Sequence, residues 1–271
     1  MQVILHSAMK LAFHTIGFHS SPIEYAVEEI SQLGYRGIEL NAESNWALPH
    51  VTPQTPSEDR LRIAKFITQH GLQVSSICAH TSLIRPHNGA RNEAMRFMRG
   101  CIDMAEEFGT QIVHAISGAL EGEIEEGDAW GWLLEGVGEL VDYSESRGVK
   151  FAFEAAANQL VAKSGDMKKL LNSIGSGNLL VNFDPSHPIL YGEDPAQLIK
   201  VYGKRIIHFH AKDSLGNPKN FQFPPLGMGD IDFGSVLEAL KSIRYDGFIS
   251  VEYEGELFGY EKDPITAARQ A

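Results

Sequence analysis

The stretch Val181-Asn182-Phe183-Asp184-Pro185-Ser186-His187 sets a carboxylate and an imidazole side by side where a strand ends. Its β-branched and aromatic residues favour extended backbone up to Asp184. Pro185 cannot donate to a continuing ladder, and His187 follows within one short turn. Three other strand-like runs close in the same manner: Phe151-Ala-Phe-Glu154, Ile206-Ile-His-Phe-His210 and Ile249-Ser-Val-Glu252. Four strand ends thus carry Glu, Asp, His and Glu, a donor set suited to a divalent metal bound mostly through oxygen.

Outward from this stretch the chain keeps one alternation. Strands are expected over Leu11–Phe18, Gly37–Asn41, Leu72–His80, Thr110–Ser117, Lys150–Ala155, Leu179–Asp184, Arg205–His210 and Phe248–Glu252. Between them lie helical patterns: Ser20-Ser21-Pro22 to Gly34, Ser57 (as cap) to His70, Asn92–Phe108, Gly127 to Gly148, Asp166–Ile174, Asp194–Tyr202 and Phe233–Ile243. Only Asp263–Ala271 remains for an eighth helix, which must be short. Every strand is short and mostly apolar, as strands buried on both faces are, and no composition break marks a linker. The expected fold is α/β, a single-domain (β/α)8 barrel over residues 1–271. An open doubly wound sheet is the alternative, but it lacks a Gly-rich fingerprint after its first strand.

With 271 residues, 43% of them hydrophobic, the chain can bury one sizeable core. Its 23 basic and 35 acidic side chains give a formal charge of −12, and no Lys/Arg cluster offsets it, so nucleic acid is not an expected partner. Cys78 and Cys101 form no C-x-x-C and point to neither a disulfide framework nor a thiolate zinc site. No apolar run spans a bilayer, and the first ten residues lack a signal-peptide pattern, so a soluble cytoplasmic protein is expected. Residues 1–8 read as an unstructured leader.

In a barrel the site lies at the carboxyl ends of the strands. Ala152, Asn182, His208 and Ser250 sit two residues before Glu154, Asp184, His210 and Glu252, so they should form a layer beneath the ligands and orient them. A lone Glu at a strand end is more often a solvated carboxylate or a helix cap. Three carboxylates buried together, however, are costly without a cation. His80 and His114 end the third and fourth strands and Glu39 the second, each either a substrate contact or an ordinary satisfied side chain. His14, His19 and His50 carry no individual assignment. Trp46, Trp130 and Phe221 sit in or beside rim loops, as pocket walls or as packing. Leu226-Gly-Met-Gly-Asp-Ile-Asp-Phe233 looks like a phosphate cradle, but it has no Lys and follows no strand directly, which favours a helix-entry turn.

Phe-Glu154-Ala, Asn-Phe-Asp184-Pro-Ser-His187, His-Phe-His210-Ala-Lys-Asp, Gly-Met-Gly-Asp-Ile-Asp-Phe and Ser-Val-Glu252-Tyr together resemble the xylose-isomerase-like TIM barrels, over nearly the whole chain. That group includes sugar isomerases, ketose 3-epimerases and AP endonucleases. The resemblance implies that Glu154, Asp184, His210 and Glu252 bind one divalent metal, with His187 close to the substrate. The nuclease branch also uses histidines matching His80, His114 and His187, and an Asp-x-His after the seventh strand. Here that loop reads Pro218-Lys-Asn-Phe-Gln-Phe-Pro224, without it. The epimerase branch commonly places an Arg in that loop, and this chain has none between Asp213 and Asp230.

The expected activity is isomerisation or epimerisation of a small ketose or related keto-sugar through an enediolate. Glu154 and Glu252 would be the proton-transferring pair and His187, His80, His114 and Glu39 the substrate-side residues. Three carboxylates and one imidazole favour Mn²⁺, Mg²⁺ or Co²⁺, with Zn²⁺ as the alternative. A lyase acting on a keto-sugar at the same site is the second reading. An AP-endonuclease-type nuclease and a non-catalytic binding barrel stand behind it. The expected partner is a small-molecule sugar, with no membrane, and the resemblance leaves a homo-oligomer open.

Overall fold

Side chains alternate across a strand, so a strand that is apolar on one side and polar on the other can close a barrel whose outer surface meets helices. The computed structural model describes residues 9–43, 47–122, 124–260 and 263–270; the expected leader over 1–8 and Trp46 lie outside these. A closed barrel is built from β1 (Lys10–His14), β2 (Gly37–Asn41), β3 (Gln73–Cys78), β4 (Ile112–Ala115), β5 (Lys150–Phe153), β6 (Leu179–Phe183), β7 (Ile206–Ala211) and β10 (Phe248–Val251). All neighbouring pairs are parallel, and β10 closes on β1 with Ala12 opposite Ser250. The fold is the expected single α/β barrel.

Around it lie α1 (Ile23–Gln32), α2 (Ser57–Gln69), α3 (Asn88–Glu107), α4 (Glu126–Ser146), α5 (Ser164–Ile174), α6 (Ser186–Leu190), α7 (Pro195–Tyr202), α8 (Phe233–Ser242) and α9 (Pro264–Gln270). Phe13, Ile38, Phe151, Phe153 and Phe209 share one apolar cluster with helix residues such as Ile30, Met98, Leu140 and Leu170. Each such buried side chain contributes roughly 1.5–3 kcal/mol. The short α9 is tied to the body where Tyr35 donates to the Ala268 carbonyl at 2.8 Å. No described helix is long and apolar enough to cross a membrane.

The other set of strand side chains is polar. Ser76, His114, Asn182 and His208 come from β3, β4, β6 and β7, are buried, and hydrogen-bond to one another or to the strand ends, so they fill the barrel interior. The ladder skips a residue at two places in this layer. Between β2 and β3 the register jumps so that Glu39 meets Ser76, and between β6 and β7 so that Asn182 meets His208.

Several local expectations are corrected. The first strand does not reach Phe18: Thr15–Phe18 form a 3-10 turn, because the Thr15 hydroxyl accepts the Asn41 N–H at 2.9 Å. Serines 21 and 57 do not cap their helices; Pro22 and Pro56 occupy the cap positions. Helix α3 starts a turn early, at Asn88, where the Arg91 guanidinium donates to the carbonyls of Arg85 and Pro86. Helix α6 was not expected; its Pro188 falls in the first turn, where backbone N–H groups have no helical partner anyway. The long loop after β7 contains an antiparallel hairpin, β8 (Leu215–Asn217) and β9 (Asn220–Gln222).

Candidate active site

The strand termini bring the four expected ligands together. Glu154 and Glu252 follow β5 and β10 directly, where their backbone N–H groups donate to Ala115 and Ala211 carbonyls at 2.9 and 3.1 Å and prolong the ladder. Asp184 ends β6 with its Oδ1 accepting from the Ser186 N–H at 2.8 Å, a turn that Pro185 permits. His210 lies within β7. All four are at most 5% exposed. One ligand atom from each lies within 4.8 Å of the others.

Beneath them, Glu39 accepts from His210 Nε2 at 3.1 Å and from His114 Nε2 at 2.5 Å. A carboxylate behind one imidazole nitrogen orients the ring and leaves the other, Nδ1, facing Glu252 Oε2 at 3.3 Å and Glu154 Oε2 at 3.5 Å. A second support runs across the barrel. Ser76 donates to His208 Nε2 at 3.0 Å, His208 Nδ1 donates to Asn182 Oδ1 at 3.0 Å, and Asn182 Nδ2 donates to Glu154 Oε2 at 2.6 Å. Burial pushes His208 down to about 3 and His114 down to about 4, so both rings are neutral and each nitrogen has one role.

At the strand-end cluster the electrostatics reverse. Burial alone would raise Glu154 and Glu252, but His210, His187 and His80 around the first, and Lys212 and His210 around the second, hold both well below the usual carboxylate range. Burial likewise opposes a charged His210, and the carboxylates of Glu252, Glu39 and Glu154 outweigh it, raising the ring well above its ordinary range. Asp184 Oδ2 accepts no hydrogen bond from the described residues, although His187 Nε2 lies 3.3 Å and Lys212 Nζ 3.4 Å away. Three buried carboxylates, one imidazole nitrogen and an unsatisfied carboxylate oxygen facing a common centre fit a divalent cation.

The structure divides the expected substrate-side residues. His187 and His80 line a cavity of about 380 Å³ above the cluster, together with Glu154 and Glu252. His187 Nδ1 accepts the Ala157 N–H at 3.2 Å, which puts its own proton on Nε2, 3.4 Å from Glu154 Oε1. His114 and Glu39 are fully buried and do not line the cavity; Glu39 bonds both His114 and His210 beneath it. Trp130 packs in the core, and Phe221 lines the cavity. A second cleft, about 680 Å³ between α7 and α8, contains none of the strand-end residues.

Sequence reasoning assigned no role to Lys212, His14 or Asp213. Lys212 Nζ is 2.7 Å from Glu252 Oε2, 3.1 Å from Glu254 Oε2 and 3.4 Å from Asp184 Oδ2, and lies over the Phe223 ring at 4.3 Å. Burial disfavours this ammonium, but Glu252, Glu254 and Asp184 raise it well above its ordinary range. Its position two residues after His210 was the available signal, since both then share a face of the strand. His14 donates from Nδ1 to Glu252 Oε1 at 3.0 Å. The Asp213 carboxylate accepts the N–H groups of Gly227, Gly229, Ile231 and Ser214 at 2.9, 2.8, 3.3 and 2.9 Å. The glycine-rich loop is therefore a helix-entry turn, as expected, and its amide cradle is filled by the chain's own carboxylate, ahead of Asp232 at the α8 cap.

Residues 27–271 match the family model described as xylose isomerase-like TIM barrel. The chain is 25% identical to fructoselysine 3-epimerase of Shigella flexneri, over 97% of this chain and 95% of that protein. It is 24% identical to inosose dehydratase of Lacticaseibacillus casei, over 85% and 82%. Among solved structures, that of the IOLI protein with a binding zinc atom superposes with a TM-score of 0.77 at 22% identity, covering 97% of this chain and 96% of that one.

Proposed function

This chain belongs to the xylose isomerase-like TIM barrel family, and on that footing we propose that it is a divalent-metal-dependent isomerase or epimerase of a ketose or related keto-sugar. It is an enzyme of the sugar isomerase and epimerase superfamily. The observation that carries the finer reading is the pair Glu154 and Glu252, ionised, buried and brought from β5 and β10 to the wall of one cavity. Glu154, Asp184, His210 and Glu252 would hold the metal. When bound, such a cation would supply Lewis-acid polarisation of the substrate carbonyl and so acidify the adjacent carbon.

The protein's own residues do the rest. One glutamate removes the proton from the carbon beside the carbonyl, and the other returns one from the opposite side. Return to the same carbon is epimerisation; return to its neighbour, with the hydroxyl proton passing from one oxygen to the other, is isomerisation. His187 presents an Nε2–H towards the reacting end of the cavity and can hold a substrate oxygen. The Lys212 ammonium lies beside Glu252, where it favours negative charge developing on oxygen. The relay from Ser76 through His208 and Asn182 keeps Glu154 aimed. Two free, buried cysteines and an acidic composition suit a cytoplasmic enzyme of sugar metabolism.

The similarity to inosose dehydratase supports a second reading, a lyase that begins with the same proton abstraction and then expels water. Proton NMR in D₂O with the Mg²⁺-loaded protein and a panel of ketoses separates them. Deuterium entering a carbon beside the carbonyl, lost when metal is stripped, is the result expected of an isomerase or epimerase. Loss of water moves the assignment to the lyase. No exchange with any ketose, despite metal binding, refutes the proposal.

A further inference from the structure

The cavity above the strand ends is built unevenly. Its inner end carries Glu154, Glu252 and His187. Its outer wall carries a phenyl cluster beside the polar Gln159 and Glu254: Phe221 and Phe223 from the loop hairpin meet Phe258 from the turn after β10, with ring centroids 5.2 Å (Phe221–Phe223), 5.0 Å (Phe223–Phe258) and 6.2 Å (Phe221–Phe258) apart. The Phe223 ring stands edge-on to His187 at 5.5 Å, so the phenyl cluster begins where the reacting end stops.

Charge in the cavity is one-sided. Glu43, Glu154, Glu252 and Glu254 face it, and among the described residues Lys212 is the only Lys or Arg on its wall, already tied to three carboxylates. Barrels of this architecture frequently bind phosphate in the loops after the seventh and eighth strands, through backbone N–H groups. In this chain the first of those loops has spent its amide cradle on Asp213. The second carries the Glu254 carboxylate. On the described wall a phosphate dianion would face four carboxylates, and the side-chain donors there are His80, His187, Gln159 and a Lys212 already tied to three carboxylates.

Resting on the keto-sugar reading above, we infer that the substrate is unphosphorylated and that its end remote from the carbonyl is hydrocarbon, as in a deoxygenated chain terminus, seated on Phe221, Phe223 and Phe258. A terminal hydroxyl would be stripped of water against three phenyl rings, whereas a methyl group gains contact there.

The test is a matched panel given to the wild-type, Mg²⁺-loaded protein in D₂O: ketohexoses, their 6-deoxy counterparts and their 6-phosphates. The expected kcat/KM for exchange is about tenfold or more higher for the 6-deoxy sugar than for its parent, with the 6-phosphate inert. Binding is read separately by saturation transfer, in which irradiating aromatic protons should reach the substrate methyl most strongly. In Phe221→Ser the ratio of deoxy to parent should fall towards one. Turnover of the 6-phosphate at the parent's rate, or preference for the parent, overturns the inference and leaves the isomerase reading intact. If no sugar exchanges, the isomerase reading fails, and the ranking by saturation transfer still decides this inference: a phosphate bound above the deoxy sugar refutes it.

Discussion

Replacing Lys212 by Met removes the ammonium that sits among Glu252, Glu254 and Asp184 while keeping most of the side-chain volume. At 2.7–3.4 Å each contact has a gross attraction of about 5 kcal/mol at an effective dielectric of about 20, most of it offset by the cost of burying the charges. What remains after truncation is a set of buried carboxylates without their cation, and breaking a buried pair in this way typically costs about 3–5 kcal/mol. A divalent cation would restore positive charge at two of these carboxylates, Asp184 and Glu252. Metal should therefore stabilise K212M more than it stabilises the wild type, for which saturation at about a thousand times Kd is worth about 4 kcal/mol. Urea denaturation above neutral pH, with EDTA and then with saturating Mg²⁺, measures all four states. The expected pattern is a large deficit for metal-free K212M that narrows when metal is added. Equal midpoints for the two metal-free proteins, or equal gains on adding metal, would refute the role of Lys212 as resident counter-cation.

Glu154→Gln and Glu252→Gln should each lower proton exchange at carbon by about 10²-fold or more while circular dichroism shows a folded barrel; near-normal exchange in either removes it from the transferring pair. His208 is neutral when folded, with its pKa at about 3 against 6.5 in the unfolded chain. Its contribution is thus complete above pH 6.5 and drains as pH falls towards 3, by about 2 kcal/mol between about pH 7.5 and about pH 5. His208→Gln should flatten that slope in denaturation curves of the metal-free protein. Gly229→Ala places a Cβ against the Asp213 carboxylate and the Ser214 carbonyl; it should destabilise by about 1–3 kcal/mol and raise KM, because the loop it anchors adjoins the cavity wall. An unchanged Tm and KM would show that the loop can shift.

The strand ends were legible because each proposed ligand terminates an apolar run with a residue that such a run does not otherwise contain: Glu154, Asp184 and Glu252 interrupt phenylalanine- and valine-rich stretches. Their support was legible one step further, since Asn182 and His208 share a face with Asp184 and His210 above them. The rest depends on distance in the chain. His14 meets Glu252 across 238 residues and Glu39 meets His210 across 171, and a local pattern carries no trace of either pairing. Lys212 looks like a solvated loop lysine until three carboxylates close around it. The hairpin that carries Phe221 is three residues per strand, too short for its alternation to stand out from a Gly- and Pro-containing loop.

The two skipped residues in the barrel ladder give the polar interior a function in assembly. A strand displaced by one residue turns its whole inward set outward. At β6 and β7 that would put Ile207 where His208 completes the chain of donors from Ser76 to Glu154, stranding a serine, an amide and a carboxylate together in the core. A greasy barrel interior tolerates such slips, because one aliphatic side chain substitutes for another. Here misalignment leaves donors and acceptors that do not add up, so the hydrogen-bond chain that ends on Glu154 also favours the native threading of the strands.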